Sequence, residues 1–121
     1  MARRATRLAA DDDVTTRQHE ATLLNATGDH AAAEKRFAEI CALCPTYPAA
    51  WANHGAMLFE LGLLDEACTA LEEATVLGLP TAETLTNLGL VHMALGYLDE
   101  AEKDFSKAIA LRPGDLRVIL N

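Results

Sequence analysis

Residues of core type recur along the chain at steps of three and four, as in Trp51, His54, Gly55, Leu58 and then Leu64, Ala67, Leu71, Ala74, Leu77. This spacing gathers them on one stripe of a helix, whereas a strand would need strict alternation. Gly28, Gly62 and Gly96 interrupt the stripe at intervals of 34 residues. Glycine accepts the left-handed backbone that ends one helix and turns the chain back, so each glycine divides its unit into a helical hairpin. The pattern predicts first helices near 13–26, 48–60 and 82–94, and second helices near 30–43, 64–77 and 98–111.

Other positions keep the same step of 34. Ala33, Ala67 and Ala101 fall in register, as do Phe37, Leu71 and Phe105, Ile40, Ala74 and Ala108, and Leu43, Leu77 and Leu111. Residues 51–77 and 85–111 share ten identities in 27 pairs, where unrelated chains of ordinary composition would share roughly two or three. An internal repeat is the reading that fits.

Local chemistry supports these bounds. Asp29, Asp65 with Glu66, and Asp99 with Glu100 put carboxylates in the first turn of each second helix, where free N–H groups and the positive end of the helix dipole favour them. Pro45, Pro80 and Pro113 stop the second helices, and Pro48 suits the opening of the next first helix. The expected organisation is a flexible tail over 1–12, a repeat domain over 13–113 in units of about 14–45, 48–80 and 82–113, and a partial capping helix over 114–121. Leu116, Ile119 and Leu120 would cover only part of the last unit, although a stacked array calls for a cap with a polar outer face. Either the chain is a piece of something longer, or another molecule covers that end.

The middle and third units carry residues that resemble the tetratricopeptide repeat, with its pattern W-x2-L-G-x2-Y, then A-x3-F, then P. The middle unit has Trp51, His54 in place of Leu, Gly55, Leu58 in place of Tyr, Ala67, Leu71 and Ala74; the third has Leu85, Leu88, Gly89, His92, Ala101, Phe105, Ala108 and Pro113. The first unit departs from the pattern, with Arg17, Glu20 and Ala21 at the signature places of its first helix, although Gly28, Ala33, Phe37 and Pro45 fit. The resemblance implies an all-α fold: a right-handed superhelix of three helix-turn-helix repeats plus the start of a seventh helix.

The same resemblance implies a concave groove lined by the first helix of each pair. Its inner positions would be Thr15, Gln18, His19, Thr22 and Asn25, then Ala52, Asn53, Ala56, Phe59 and Glu60, then Glu83, Thr86, Asn87, Leu90 and Met93. Asn53 and Asn87 hold equivalent places, and each amide offers a donor and an acceptor, the same pair of groups that an extended peptide presents along its main chain. The arrangement is similar to the asparagine ladder in the peptide-binding superhelix of O-linked N-acetylglucosamine transferases, with His19 at the third rung. Gln18, Thr22, Asn25, Ala56 and Thr86 complete the proposed lining, with Phe59, Leu90 and Met93 as apolar contacts. Asn is also common at this place in the family for ordinary solubility. Adaptors that clamp the C-terminal carboxylate of cytosolic chaperones use Lys and Arg on these faces. Here the matching residues are Gln18, Thr22, Asn53, Glu83 and Asn87, so that activity is not expected.

Charge narrows the partners further. Eighteen acids face ten bases, a formal net charge of -8, and residues 37–102 contain no Lys or Arg. Phosphate recognition needs clustered cations, so nucleic acid is not an expected partner. The acids read mainly as a solvated outer face, with attraction of a basic partner as the alternative. No apolar run reaches the roughly 18–20 residues that cross a bilayer, so membrane insertion is not expected. Arg3, Arg4 and Arg7 are followed by Asp11, Asp12 and Asp13 and not by an apolar core, which argues against a secretory signal and for a cytoplasmic location.

Cys41 and Cys44 form C-x-x-C, but the chain has no second such pair, and His19, His30, His54 and His92 show no H-x3-5-H spacing. A four-ligand zinc site is therefore not expected. The odd count of three, with no secretory signal, favours reduced thiols; at the end of a helix the dipole opposes a thiolate, so the pair Cys41 and Cys44 reads as small core residues. His54 and His92 read as partly buried neutral imidazoles. No catalytic constellation, metal site or cofactor motif stands out. The sequence thus points to a non-enzymatic scaffold that binds an extended peptide or a partner's flexible segment. The alternatives are a self-assembling unit joined through its C-terminal end, and the targeting arm of a larger protein, such as a transferase or a secretion chaperone.

Overall fold

A computed structural model describes residues 2–78 and 80–111, with side chains from Val14 onward. Six helices follow one another: α1 (Ala2–Ala26), α2 (His30–Leu43), α3 (Pro48–Glu60), α4 (Leu64–Leu77), α5 (Ala82–Ala94) and α6 (Leu98–Leu111). No strand occurs among the described residues. Each helix packs against the next in sequence, and α3 also reaches α5, which makes an all-α helical repeat fold of three hairpins. The bounds of α2 to α6 are those expected from the sequence. The start of α1 is not: it lies at Ala2, where a flexible tail over 1–12 was expected. The run from Ala2 to Asp13 contains neither Gly nor Pro and is rich in Ala and Arg, strong helix formers, so nothing local stops the helix. The expected capping helix over 114–121 and Pro113 lie outside the described residues.

The three turns are built alike. Gly28, Gly62 and Gly96 have φ of +91°, +79° and +88°, the left-handed region that only glycine enters without strain. In each turn the glycine N–H donates to the carbonyl three residues back, and the following N–H donates five residues back: Asp29 to Leu24 at 2.8 Å, Leu63 to Leu58 at 2.9 Å, Tyr97 to His92 at 2.8 Å. This pair of bonds satisfies carbonyls that the ending helix leaves open. At the other helix ends, the Asp29 carboxylate accepts from the Ala32 N–H at 3.3 Å, and Pro48 opens α3. The Thr81 hydroxyl accepts from the Thr84 N–H at 3.1 Å to cap α5.

Small residues set how closely paired helices approach. A Cβ on Gly55 would stand 2.6 Å from Leu71 Cγ, and one on Gly89 would stand 2.7 Å from Phe105 Cε1. The first hairpin has Ala21 at this place, fully buried in one cluster with Ala33, Phe37 and Ile40. Trp51 packs against that cluster and also against the next, which holds Leu58, Leu71, Leu88 and Val91. Its indole N–H donates to the Pro45 carbonyl at 2.8 Å, so one side chain ties the first repeat to the second. Where the repeat pattern asks for Trp and Leu in the first unit, Arg17 pairs with Glu39, and the Arg36 Nε lies 3.0 Å from Glu20. Arg36 also donates to Glu39 at 2.7 Å. An ion-pair network between α1 and α2 replaces the missing aromatic contact.

Candidate functional site

A cleft of about 450 Å³ lies between α3 and α5. Ala49, Ala52, Asn53 and Ala56 line it from α3, with Tyr47 and Pro48 at the helix entrance. Thr81, Glu83, Thr84 and Asn87 line it from α5, and Ala74 of α4 closes the floor. The three alanines explain the space: along this stripe of α3 the side chains stop at Cβ. Glu83 is the one charged residue of the lining.

Asn53 and Asn87 meet on this cleft, as their equivalent register requires, and both are half-buried. Among the described residues, neither amide is engaged by another group of the chain. Ala56 joins them, together with Ala52 and Glu83. The other residues expected to line the groove are not among those that line this cleft. Gln18 is half-buried and His19, Thr22 and Asn25 are exposed on α1, which contributes nothing to the cleft; the Thr22 hydroxyl donates to the Gln18 carbonyl at 2.8 Å. Phe59 packs partly against the cluster of Leu58 and Leu88. The Thr86 hydroxyl is turned back onto the Ala82 carbonyl at 2.7 Å. Leu90 is half-buried, and Met93 is 49% exposed at the far end of α5. Tyr47, Thr81 and Thr84 line the cleft without having been expected, because they precede or open their helices and fall outside the helical stripe.

A second group of reactive side chains lies at the contact of α4 with α5. The His92 ring Nδ1 is 2.6 Å from Asp104 Oδ2, and its Nε2 is 3.5 Å from Cys68 Sγ. His92 and Asp104 are each 8% exposed. The order thiol, imidazole, carboxylate is that of a nucleophilic triad, but the surroundings work against it. Burial, and after it the charge and hydrogen bond of Glu72 and the charges of Asp104 and Asp65, push the Cys68 thiol up to about 11. The nucleophile is the thiolate, which this site disfavours. Of the other cysteines, Cys41 is buried in the first core cluster, and burial pushes its thiol up to about 11 as well. Cys44 caps α2, its N–H donating to the Ile40 carbonyl at 2.8 Å. His54 is 2.7 Å from Glu34 across α2 and α3. Both packing histidines therefore have a carboxylate partner that sequence spacing does not reveal, since each pair spans two helices.

The tetratricopeptide repeat pattern matches residues 48–73 and 82–115. No curated relative matches the sequence. Among solved structures, the first tetratricopeptide domain of Spaghetti (RPAP3), bound to the HSP90 peptide SRMEEVD, superposes with a TM-score of 0.80 at 20% identity, over 84% of this chain and 81% of that one. A crystal structure of MamA superposes with a TM-score of 0.81 at 27% identity, over 91% of this chain and 61% of that one. The O-GlcNAc transferase of Thermobaculum terrenum does so at 0.81 with 25% identity, over 86% of this chain, which spans only 20% of that protein. No described helix is long and apolar enough to cross a membrane. The glycine-separated hairpins, their shared register and the two pattern matches make the chain a tetratricopeptide-repeat protein.

Proposed function

We propose that this chain is an interaction module that holds an extended segment of a protein partner in the cleft between α3 and α5. The observation that carries this reading is the pair Asn53 and Asn87. They are two unengaged amides from equivalent positions one repeat apart, facing one cleft floored by small side chains. Each amide matches one peptide unit of an extended main chain, accepting from its N–H and donating to its C=O, so the grip depends on backbone more than on side-chain identity. The Spaghetti domain, similar in fold, is bound to a peptide.

The lining also shapes which peptides fit. A segment ending in carboxylates would meet Glu83 and no cation on the cleft wall. A neutral or basic segment has no such penalty, and the uncharged amides and alanines leave its backbone accessible. This favours an internal stretch of a partner over an acidic C-terminal tail.

Selection from a library of displayed unstructured peptides tests the reading, with Asn53→Ala/Asn87→Ala beside the parent chain. Two to four hydrogen bonds at about 0.5–1.5 kcal/mol each correspond to an affinity loss of about fivefold or more. Helical circular dichroism and melting should be unchanged, because both amides are free of internal partners. Equal enrichment of the same peptides by both proteins would refute the groove.

A further inference from the structure

The triangle of Cys68, Glu72 and His92 across α4 and α5 has the donors and the spacing of a metal centre. One ligand atom from each, the thiol sulfur, a carboxylate oxygen and an imidazole nitrogen, lies within 4.8 Å of the others. Cys68 and Glu72 are four residues apart on α4, which places them on one face of the helix, and His92 reaches that face from α5. A tetrahedral zinc with Zn–S of about 2.3 Å and Zn–N of about 2.0–2.1 Å separates its sulfur and nitrogen ligands by about 3.6 Å. The Cys68 sulfur and His92 Nε2 stand 3.5 Å apart.

Two further features bear on a cation. A carboxylate only accepts, so the 2.6 Å contact makes His92 Nδ1 the donor to Asp104; in the neutral ring, Nε2 then carries the lone pair toward Cys68 and Glu72. A buried carboxylate behind a ligating imidazole is the outer-shell arrangement that fixes ring orientation and raises ligand basicity in zinc sites. The electrostatics agree, since Glu72, Asp104 and Asp65 all act on this thiol and no Lys or Arg occurs between residues 37 and 102. Glu72 is exposed and Cys68 is half-buried, so an ion can enter from solvent.

We propose that Cys68, Glu72 and His92 bind one divalent zinc ion, with water as the fourth ligand, and that the ion joins the second repeat to the third. Soft thiolate together with imidazole favours zinc over magnesium or calcium. On binding, the Cys68 sulfur gives up its proton to solvent and forms the S–Zn bond; thiolate and carboxylate then neutralise the ion's two charges. None of the three ligands lines the peptide cleft. Even so, Glu72 is two residues from Ala74 on α4 and His92 five from Asn87 on α5, so the ion would brace the two helices that carry part of that cleft.

Titration of the full, reduced chain with Zn2+ against a chromophoric chelator, and with Co2+ by absorption, tests the assignment. The expected result is one ion per chain, micromolar or tighter, with release of one proton and a cobalt–thiolate charge-transfer band. Cys68→Ser should abolish the band, whereas Cys41→Ala/Cys44→Ser should keep it. Glu72→Gln, at an exposed position that leaves the fold intact, should weaken Zn2+ by about tenfold or more, and Asp104→Asn by about 10- to 100-fold while leaving the ligands in place. Absence of the band, its survival in Cys68→Ser, or Zn2+ affinity indifferent to Glu72→Gln would each overturn the proposal. Weak binding of Mg2+ and Ca2+ supports it, and binding as tight as that of Zn2+ contradicts it.

Discussion

Replacing Gly55 by alanine adds one methyl group to an interior that has no room for it. The new carbon would sit 2.6 Å from Leu71 Cγ, 3.0 Å from its Cδ2 and 3.3 Å from the Ala67 carbonyl oxygen. Carbon atoms are comfortable at about 3.5–4.0 Å, so the pair must separate by about 1 Å. Leu71 is fully buried and Cγ is its branch point, so retreat of that atom displaces both of its methyls, while the Ala67 carbonyl limits the other side. Overpacking of this kind costs about 1–3 kcal/mol. Alanine recovers about 0.8–1.0 kcal/mol of helix propensity over glycine. The upper part of the strain range applies at so enclosed a site, which leaves a net loss of about 1–2 kcal/mol. Guanidinium unfolding followed by circular dichroism and by Trp51 fluorescence should show a lower midpoint with an unchanged slope. Leu71→Ala removes the obstructing atoms, at its own cost of about 2–5 kcal/mol. In that background Gly55→Ala should become neutral or stabilising by up to about 1 kcal/mol. A Gly55→Ala protein as stable as its parent, or the same loss in both backgrounds, would refute this account of the close approach.

Other outcomes follow from the same structure. Gly62→Ala should cost about 1–2 kcal/mol through its φ of +79° alone, and thermal melts should show that cost unchanged by Leu71→Ala, because no atom lies near the added carbon. Thr81→Ala removes the hydroxyl that caps α5 and should destabilise by about 1 kcal/mol, with Thr81→Ser nearly silent. The Cys41 and Cys68 thiols rise from 9.0 to about 11 in the folded chain, so the unfolded chain loses these protons first. Their contribution is whole below about pH 9 and is lost as pH climbs toward about 11. Denaturation midpoints should fall across that window, less steeply in Cys41→Ala, and parallel curves for parent and variant would contradict the assignment.

Local architecture follows from the order of residues alone. Helical spacing, three glycines in register and the turn chemistry around them fix where each hairpin begins and ends, because these are short-range preferences written into consecutive residues. The bounds of α2 to α6 were legible for that reason, and so was the equivalence of Asn53 and Asn87, which follows from the 34-residue register alone. The start of α1 was not legible: a run of strong helix formers without a stop signal reads equally as a tail. The relations between helices emerge only when the chain packs. Repeat symmetry proposes a groove along all three first helices; among the described residues, one cleft lies where Ala49, Ala52 and Ala56 of α3 leave space toward α5, and Phe59 packs partly against the core. Likewise Cys68 and His92 are 24 residues apart, and Asp104 a further 12. No sequence spacing announces their meeting, because their distance is set by how α4, α5 and α6 pack, a property of side-chain volumes summed over two interfaces.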